Sequence, residues 1–450
     1  MRKNSAILSL MIFALLISQT AFAQVKFKPL DIKQRTLKNG LSVVSVEDNS
    51  SPNVTVMVTY DVGSKNDPDK RNGFAHLFEH LMFKSTKNLK SEQFDRLTED
   101  VGGNNNANTS DDVTNYFENV PSNYLETLLW AEAERMQNLT VDEPNFKSER
   151  AVVQEEFRQS VLAQPYGQFY EAIQKLSFDK SPYKRTTIGT IEDLESASLD
   201  DVKKFYKDYY RPDNATLIVA GDFDKEQLDK WVDKYFGSIE KPTGKITRVT
   251  EFEPERTTAK REVVKYPNVP LPAVAITYLA PAAKDKDTPA LKVAEAILSG
   301  GESSRLYQEL VYKQQIAQEA SFSVDSHADK FLMYFTAVMA SGKTPEMGEK
   351  SLLAELQKIQ DAPVSAAELE KAKNTIIADK IRRLETNLGK ASSIGQAVIL
   401  YGTPNAVNDE VGEIQNITAA DVQRVMKKYF NDNNRVVVYY ENDDKKGDSK

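Results

Sequence analysis

The chain has 450 residues, 40% hydrophobic and 28% charged, an ordinary balance for a soluble globular protein; its formal charge of -8 argues against nucleic-acid binding, which needs a basic face. It has no cysteine, which removes disulfides, thiolate metal sites, iron–sulfur clusters and cysteine nucleophiles. It has three histidines, His76, His80 and His327, so any imidazole chemistry must use one of them.

The N-terminus reads as an export signal. Arg2 and Lys3 precede the apolar run from Ile7 to Ile17, and Ala21-Phe22-Ala23 supplies small residues at a peptidase site before Gln24. The run is shorter than the roughly 20 residues that span a bilayer. The expectation is a signal peptide over 1–23, a periplasmic or secreted mature chain, and no stable membrane anchor after cleavage.

Two domains are expected from the length. Leu41–Val46 and Val54–Tyr60 alternate as strands between Asn39-Gly40 and Ser50-Ser51-Pro52-Asn53. Helical patterns follow over Gly73–Phe83, Ser91–Val101, Ser122–Met136 and Glu143–Ala163, and Leu217–Gly221 reads as a buried strand. The segment Asp201–Asn214 then reappears as Asp421–Asn434, at an offset of 220. Ser198 and Thr418 each stand three residues before an Asp, as capping boxes do, and each helix leads through a polar turn into an apolar strand, Thr216–Ala220 or Val436–Tyr440. Ala273–Tyr278 mirrors Val54–Tyr60, so the pattern predicts a duplication. The expected division is an N-terminal domain over 24–240, a charged linker over 241–262, a C-terminal domain over 263–441 and a disordered tail over 442–450.

The chemistry concentrates in Gly73–Phe83. On a helix, His76 and His80 lie about 40° apart in projection, so both imidazoles can reach one ion. Glu79 lies on the same side, within reach of a water held there. A zinc hydrolase needs these parts: an ion that activates water and polarises a carbonyl, and a carboxylate that moves the proton. Two imidazoles do not complete a zinc site, so a third ligand must come from elsewhere.

The order His-x-x-Glu-His is the inverted zinc motif. With Gly102–Ala107, Glu149–Glu156, Ala220–Phe223 and Gly300–Leu306, the chain resembles the pitrilysin-like (insulinase, inverzincin) zinc metallopeptidases. Within that family it is similar to the two-domain bacterial members related to mitochondrial processing peptidase subunits. The resemblance implies an α+β fold of two homologous α/β-sandwich domains related by duplication, forming half of a clam-shell chamber. It implies one Zn2+ per chain held by His76, His80 and Glu156, with Glu79 as the catalytic base; Glu156 lies 76 residues beyond His80. Glu155 is the neighbouring alternative, read as a solvated position. The position matching Glu149 supports the site from behind the ligands, and Asn106, Ala107, Asn108 and Thr109 form an edge strand that pairs with an extended peptide substrate.

The resemblance also implies an Arg and a Tyr seven residues apart in the second half, to bind substrate and stabilise the oxyanion. The matching positions here are Tyr312 and Glu319. Arg305 and Tyr307 lie earlier, at a helix start, where a structural role is expected. Leu291–Ile297 occupies the second half's counterpart of the metal helix without a histidine. His327 reads as an isolated surface residue. The expectation is an exported zinc metalloendopeptidase that pairs, as a hetero- or homodimer, with a second family chain supplying the Arg/Tyr pair. The alternatives are a subunit of a heterodimeric processing peptidase inactive without its partner, and a non-enzymatic structural subunit.

Overall fold

The computed structural model describes residues 27–443. The expected signal peptide over 1–23 lies outside them. Residues 27–30 have no regular structure, and the described residues from Asp31 onward form one compact unit. Among the described residues, no helix is long and apolar enough to cross a membrane.

Two sheets organise this unit. The first contains β1 (Lys33–Thr36), β2 (Ser42–Glu47), β3 (Asn53–Tyr60), β4 (Asn104–Thr109), β5 (Thr114–Pro121) and β6 (Ala215–Gly221), in the order β1-β2-β6-β3-β5-β4. The second contains β7 (Lys260–Tyr266), β8 (Ala273–Leu279), β9 (Ala317–Val324), β10 (Leu332–Met339) and β11 (Arg435–Asn442), in the order β7-β11-β8-β10-β9. If β7 to β11 stand for β2, β3, β4, β5 and β6, the second order reproduces the first, β1 aside. The directions match too. β2 runs parallel to β6 as β7 does to β11, and the remaining neighbours are antiparallel. The starts of β3 and β8, at 53 and 273, and of β6 and β11, at 215 and 435, both differ by 220. The duplication expected from one helix–strand pair therefore extends through the whole strand order.

The helices follow the repeat in part, the first half having two more than the second among the described residues. The first half carries α1 (Phe74–Leu81), α2 (Gln93–Glu99), α3 (Leu125–Asn138), α4 (Glu143–Phe157), α5 (Gly167–Ser177), α6 (Ile191–Ser196), α7 (Leu199–Tyr209) and α8 (Lys225–Tyr235). The second carries α9 (Thr288–Ser299), α10 (Pro345–Asp361), α11 (Ala366–Leu384), α12 (Asn387–Tyr401), α13 (Ala406–Asn416) and α14 (Ala419–Tyr429). Both expected capping boxes form, Ser198 with Asp201 on α7 and Thr418 with Asp421 on α14.

β3, β6 and β8 are buried along almost their entire length, so each sheet must be covered on both faces. One cover is exchanged between the halves. Phe169 and Ile173 of α5 enter the core built on Ala273, Ala275, Val436, Val438 and Tyr440, and Ser177 Oγ lies 2.8 Å from Thr277 Oγ1. Reciprocally, α12 packs on β3 and β6. Its Asn387 Nδ2 donates to Asn53 O at 3.0 Å and its Lys390 pairs with Asp48. Gly395 allows the close approach: a Cβ there would stand 2.7 Å from Thr59 Oγ1.

Several sequence-based boundaries shift. The helix expected over Glu143–Ala163 is α-helical to Phe157 and continues as a π-turn over Arg158–Leu162. The helix expected from Ser122 opens as a 3-10 turn, and α3 runs on to Asn138. The segment read as a linker to residue 262 already forms β7 from Lys260. Within it, Glu253 is buried and accepts backbone N–H groups of Asp179, Lys180 and Ser181. The expected tail begins too early, because Asn442 closes β11 and Asp443 N donates to Tyr266 O at 2.9 Å; residues 444–450 lie outside those described.

Candidate metal centre

Helix α1 is amphipathic in a way that selects its chemistry. Phe74, Leu77, Phe78 and Leu81 follow the i, i+3, i+4, i+7 spacing and are buried against the first sheet and α7. His76, Glu79 and His80 are left together on the opposite face. The helix N-terminus is held from outside: Gly73, at φ +95°, leads into it, and Asp67 accepts from Gly73 N at 2.7 Å and Ala75 N at 2.9 Å. A Cβ at Gly73 would stand 2.8 Å from Ile188 O, so glycine is required there on two counts. Farther along, Tyr116 OH donates to Phe78 O at 3.2 Å.

Helix α4 lies against α1. Asp142 caps it by accepting from Asn145 N at 3.0 Å, with Pro144 in its first turn. Phe146, Glu149, Val153 and Phe157 turn inward. Two turns beyond Glu149, Glu156 reaches the histidines: its Oε2 lies 3.6 Å from His76 Nε2 and 3.4 Å from His80 Nε2. Among the described residues, His76, His80 and Glu156 offer three ligand atoms all within 4.8 Å of one another. Glu155 faces elsewhere, toward Arg158 Nη1 at 3.2 Å and Gln159 Nε2 at 3.0 Å.

This donor set fits zinc. For bonds of about 2.0–2.1 Å in a tetrahedron, ligand atoms stand about 3.3–3.4 Å apart. The observed 3.4 and 3.6 Å are close to that spacing. Burial, with His80 beside it, pushes His76 down to about 4, so its ring is neutral and has a lone pair to donate. Burial also lowers His80, but Glu149, Glu156 and Glu79 outweigh it and the net direction is up. Glu149 is buried, with Oε2 3.7 Å from His80 Nδ1 and Oε1 2.8 Å from Lys84 Nζ. A carboxylate behind a ligating imidazole fixes the ring and its tautomer. Burial raises the Glu149 carboxyl, yet hydrogen bonds from His80, Lys84 and Ser148 hold it below its ordinary value. Burial raises Glu79, opposed in part by the Thr109 hydroxyl. A carboxyl raised in this way is a better proton acceptor at neutral pH.

Thr109 ends β4, the outer strand of the first sheet, and β4 packs beside α1. Asn106, Ala107, Asn108 and Thr109 pair with β5 on one side. Their other edge carries no strand among the described residues. The structure thus brings His76, Glu79, His80, Glu149, Glu156 and Thr109 into one neighbourhood. It does not bring the second-half candidates there as an Arg/Tyr pair. Tyr312 is 69% exposed on a π-turn, Glu319 sits in β9, and Arg305 is held by Glu368 at 2.7 and 3.1 Å.

His327 corrects the reading of an isolated surface residue. It is largely buried, with Nε2 3.0 Å from Asp111 Oδ2 and its ring stacked on Phe331 at 3.6 Å. The turns that bury it come together only in the fold. Lys84, Asp67 and Asp111 were also missed from the sequence. Lys84 alone left a signal, eight residues after His76, just beyond the C-terminal end of the metal helix.

Comparison with known proteins gives matches over most of the chain. Residues 42–191 match the family described as insulinase (peptidase family M16), and residues 196–376 match the peptidase M16 inactive domain. The chain is 34% identical over 406 residues to the zinc protease PqqE of Helicobacter pylori, covering 90% of this chain and 91% of that one. It is 26% identical over 406 residues to a probable mitochondrial-processing peptidase subunit beta of Arabidopsis thaliana, covering 88% and 76%. The crystal structure of a protease from Helicobacter pylori superimposes with a TM-score of 0.89 at 34% identity, over 92% of this chain and 100% of that chain.

Proposed function

Because the chain belongs to the insulinase family of peptidases, M16, we propose that it is an exported zinc metalloendopeptidase acting on peptides or unfolded segments. The observation that carries this reading is the convergence of His76, His80 and Glu156 beside Glu79, with ligand-atom separations of 3.4 and 3.6 Å. In it, His76, His80 and Glu156 hold one zinc ion. Zinc bound there lowers the pKa of water and polarises the scissile carbonyl.

The chain's own residues do the rest. Glu79 takes the proton from the attacking water and passes it to the leaving amine. Its burial supports that role by raising its affinity for the proton. Glu149 and Lys84 keep His80 oriented. The open edge of β4, over Asn106, Ala107, Asn108 and Thr109, receives the substrate as an added strand. Backbone pairing of this kind binds extended peptides with little demand on their sequence.

A second chain completes the site. Tyr312 and Glu319 stand where the resemblance implies the oxyanion-stabilising Arg and Tyr, so this reading assigns that pair to a partner subunit of the same family, the two chains enclosing a chamber. That the mitochondrial relative is named as a subunit supports it. The test is to measure zinc per chain and cleavage of an unfolded peptide, alone and with a candidate partner. One zinc per chain and chelator-sensitive cleavage that rises with the partner are expected. A chain that binds no zinc would overturn the metallopeptidase reading, and full activity alone would overturn the need for a partner.

A further inference from the structure

The second half carries no counterpart of the metal ligands, yet one of its turns is built into the neighbourhood of the metal helix. The turn between β9 and β10 meets the turn between β4 and β5. His327 Nε2 lies 3.0 Å from Asp111 Oδ2, and Ala328 N donates to Asp112 Oδ2 at 3.0 Å. Asp112 is also gripped by Lys65 Nζ at 2.7 Å and Tyr183 OH at 2.6 Å. The ring of His327 stacks on Phe331 at 3.6 Å and meets the ring of Tyr183 edge-on at 5.3 Å.

From Asp111 the contacts run on to the metal helix. Ser64 Oγ donates to Asp111 Oδ1 at 2.6 Å, Ser64 N donates to Ser110 O at 3.1 Å, and Lys65 N donates to Asp111 O at 3.1 Å. The approach is so close that a Cβ on Gly63 would stand 2.3 Å from Ser110 O. The same short turn continues to Asp67, whose N donates to Ser64 O at 3.1 Å and whose carboxylate receives Gly73 N and Ala75 N of α1. One continuous set of hydrogen bonds therefore joins the second half, the β4–β5 turn and the first turn of α1.

We propose that His327 is a positioning residue: through Asp111 it clamps the β4–β5 hairpin and fixes the open β4 edge relative to the metal helix. That this edge receives substrate rests on the function proposed above. A stiff edge presents its backbone groups in fixed register, and ordering them before binding lowers the entropy lost when a peptide pairs with them.

The experiment compares the full chain with His327→Ala and His327→Gln, the latter keeping a side-chain N–H that can reach Asp111. Amide hydrogen exchange over residues 104–121 is read against residues 435–442 of the second sheet, alongside zinc per chain, kcat and KM. In His327→Ala, exchange over 104–121 is expected to speed up about tenfold or more, the scale of losing one hydrogen bond to a charged group. Residues 435–442 should stay protected, zinc content should be unchanged, and KM should rise with kcat largely retained. His327→Gln should recover most of the protection. Unchanged exchange over 104–121, or acceleration spread evenly over both regions, would overturn the proposal. If the unaltered chain cleaves no peptide even with its partner subunit present, the peptidase reading fails, while the exchange comparison still decides whether His327 holds the hairpin.

Discussion

Replacing Glu156 by Gln removes one charged ligand and changes almost no volume. The Glu156 side chain is 44% exposed and its contacts to the imidazoles are 3.4 and 3.6 Å, so without metal its loss should barely alter stability, by about 0–1 kcal/mol. With zinc the difference becomes measurable. An ion present at a hundred times its Kd stabilises the fold by about 2.7 kcal/mol. If losing this ligand weakens binding about 100-fold, at the upper end of what even outer contacts to ligands cost, the gain falls to about 0.4 kcal/mol. The unfolding entropy of a unit this long is about 0.9 kcal/mol/K. The zinc-induced rise in Tm should therefore be about 3 °C for the unaltered chain and under about 1 °C for Glu156→Gln. Thermal unfolding with chelator and with a zinc series measures both. Glu155→Gln is the control, since Glu155 faces Arg158 and Gln159. A full zinc response in Glu156→Gln, with a reduced one in Glu155→Gln, would refute the ligand assignment.

Three other substitutions probe the surroundings. Lys84→Met frees the Glu149 carboxylate that Lys84 holds at 2.8 Å, and zinc affinity should drop about 10–100-fold by titration, with the unfolding temperature of the metal-free chain nearly unchanged. Gly395→Ala drives a Cβ to 2.7 Å from Thr59 Oγ1 between the exchanged helix and the first sheet, and denaturant unfolding should show a loss of about 1–3 kcal/mol. Burial alone would raise Asp287, but hydrogen bonds from Lys428, Arg424 and Tyr429 outweigh it and hold the carboxyl at about 2, below its ordinary 3.8. A lowered carboxyl stabilises above its unfolded value and loses that contribution as pH falls. Asp287→Asn should therefore cost about 2 kcal/mol at neutral pH, and the gap between the two chains should close as pH drops from about 4 to 2.

What the sequence revealed, and what it hid, follows from how local each interaction is. His76, Glu79 and His80 are legible because their geometry is one helical turn, fixed by spacing alone. Glu156 was reached through the family resemblance, and choosing it over Glu155 takes side-chain directions that helix periodicity leaves ambiguous at neighbouring positions; the fold turns Glu155 to Arg158 and Glu156 to the imidazoles. The duplication was legible because a capped helix, turn and strand recur intact at a fixed offset. The exchange of α5 and α12 between the sheets was not. An apolar run such as Val54–Tyr60 says that both faces are covered but not by which helix. His327 stands among Ser326, Ala328 and Asp329, residues that read as a polar surface turn. Only docking against Asp111, Tyr183 and Phe331, far away in sequence, makes it a buried contact.

The most direct test is to load Glu79→Gln with zinc and measure both metal content and peptide hydrolysis against the unaltered chain, with any partner needed for activity present in both. The expected result is one zinc per chain in each, with hydrolysis by Glu79→Gln reduced at least about 100-fold, the lower range for losing a positioned general base. Retention of full hydrolysis by zinc-loaded Glu79→Gln would contradict the assignment of proton transfer to Glu79 and, with it, the mechanism proposed for this site.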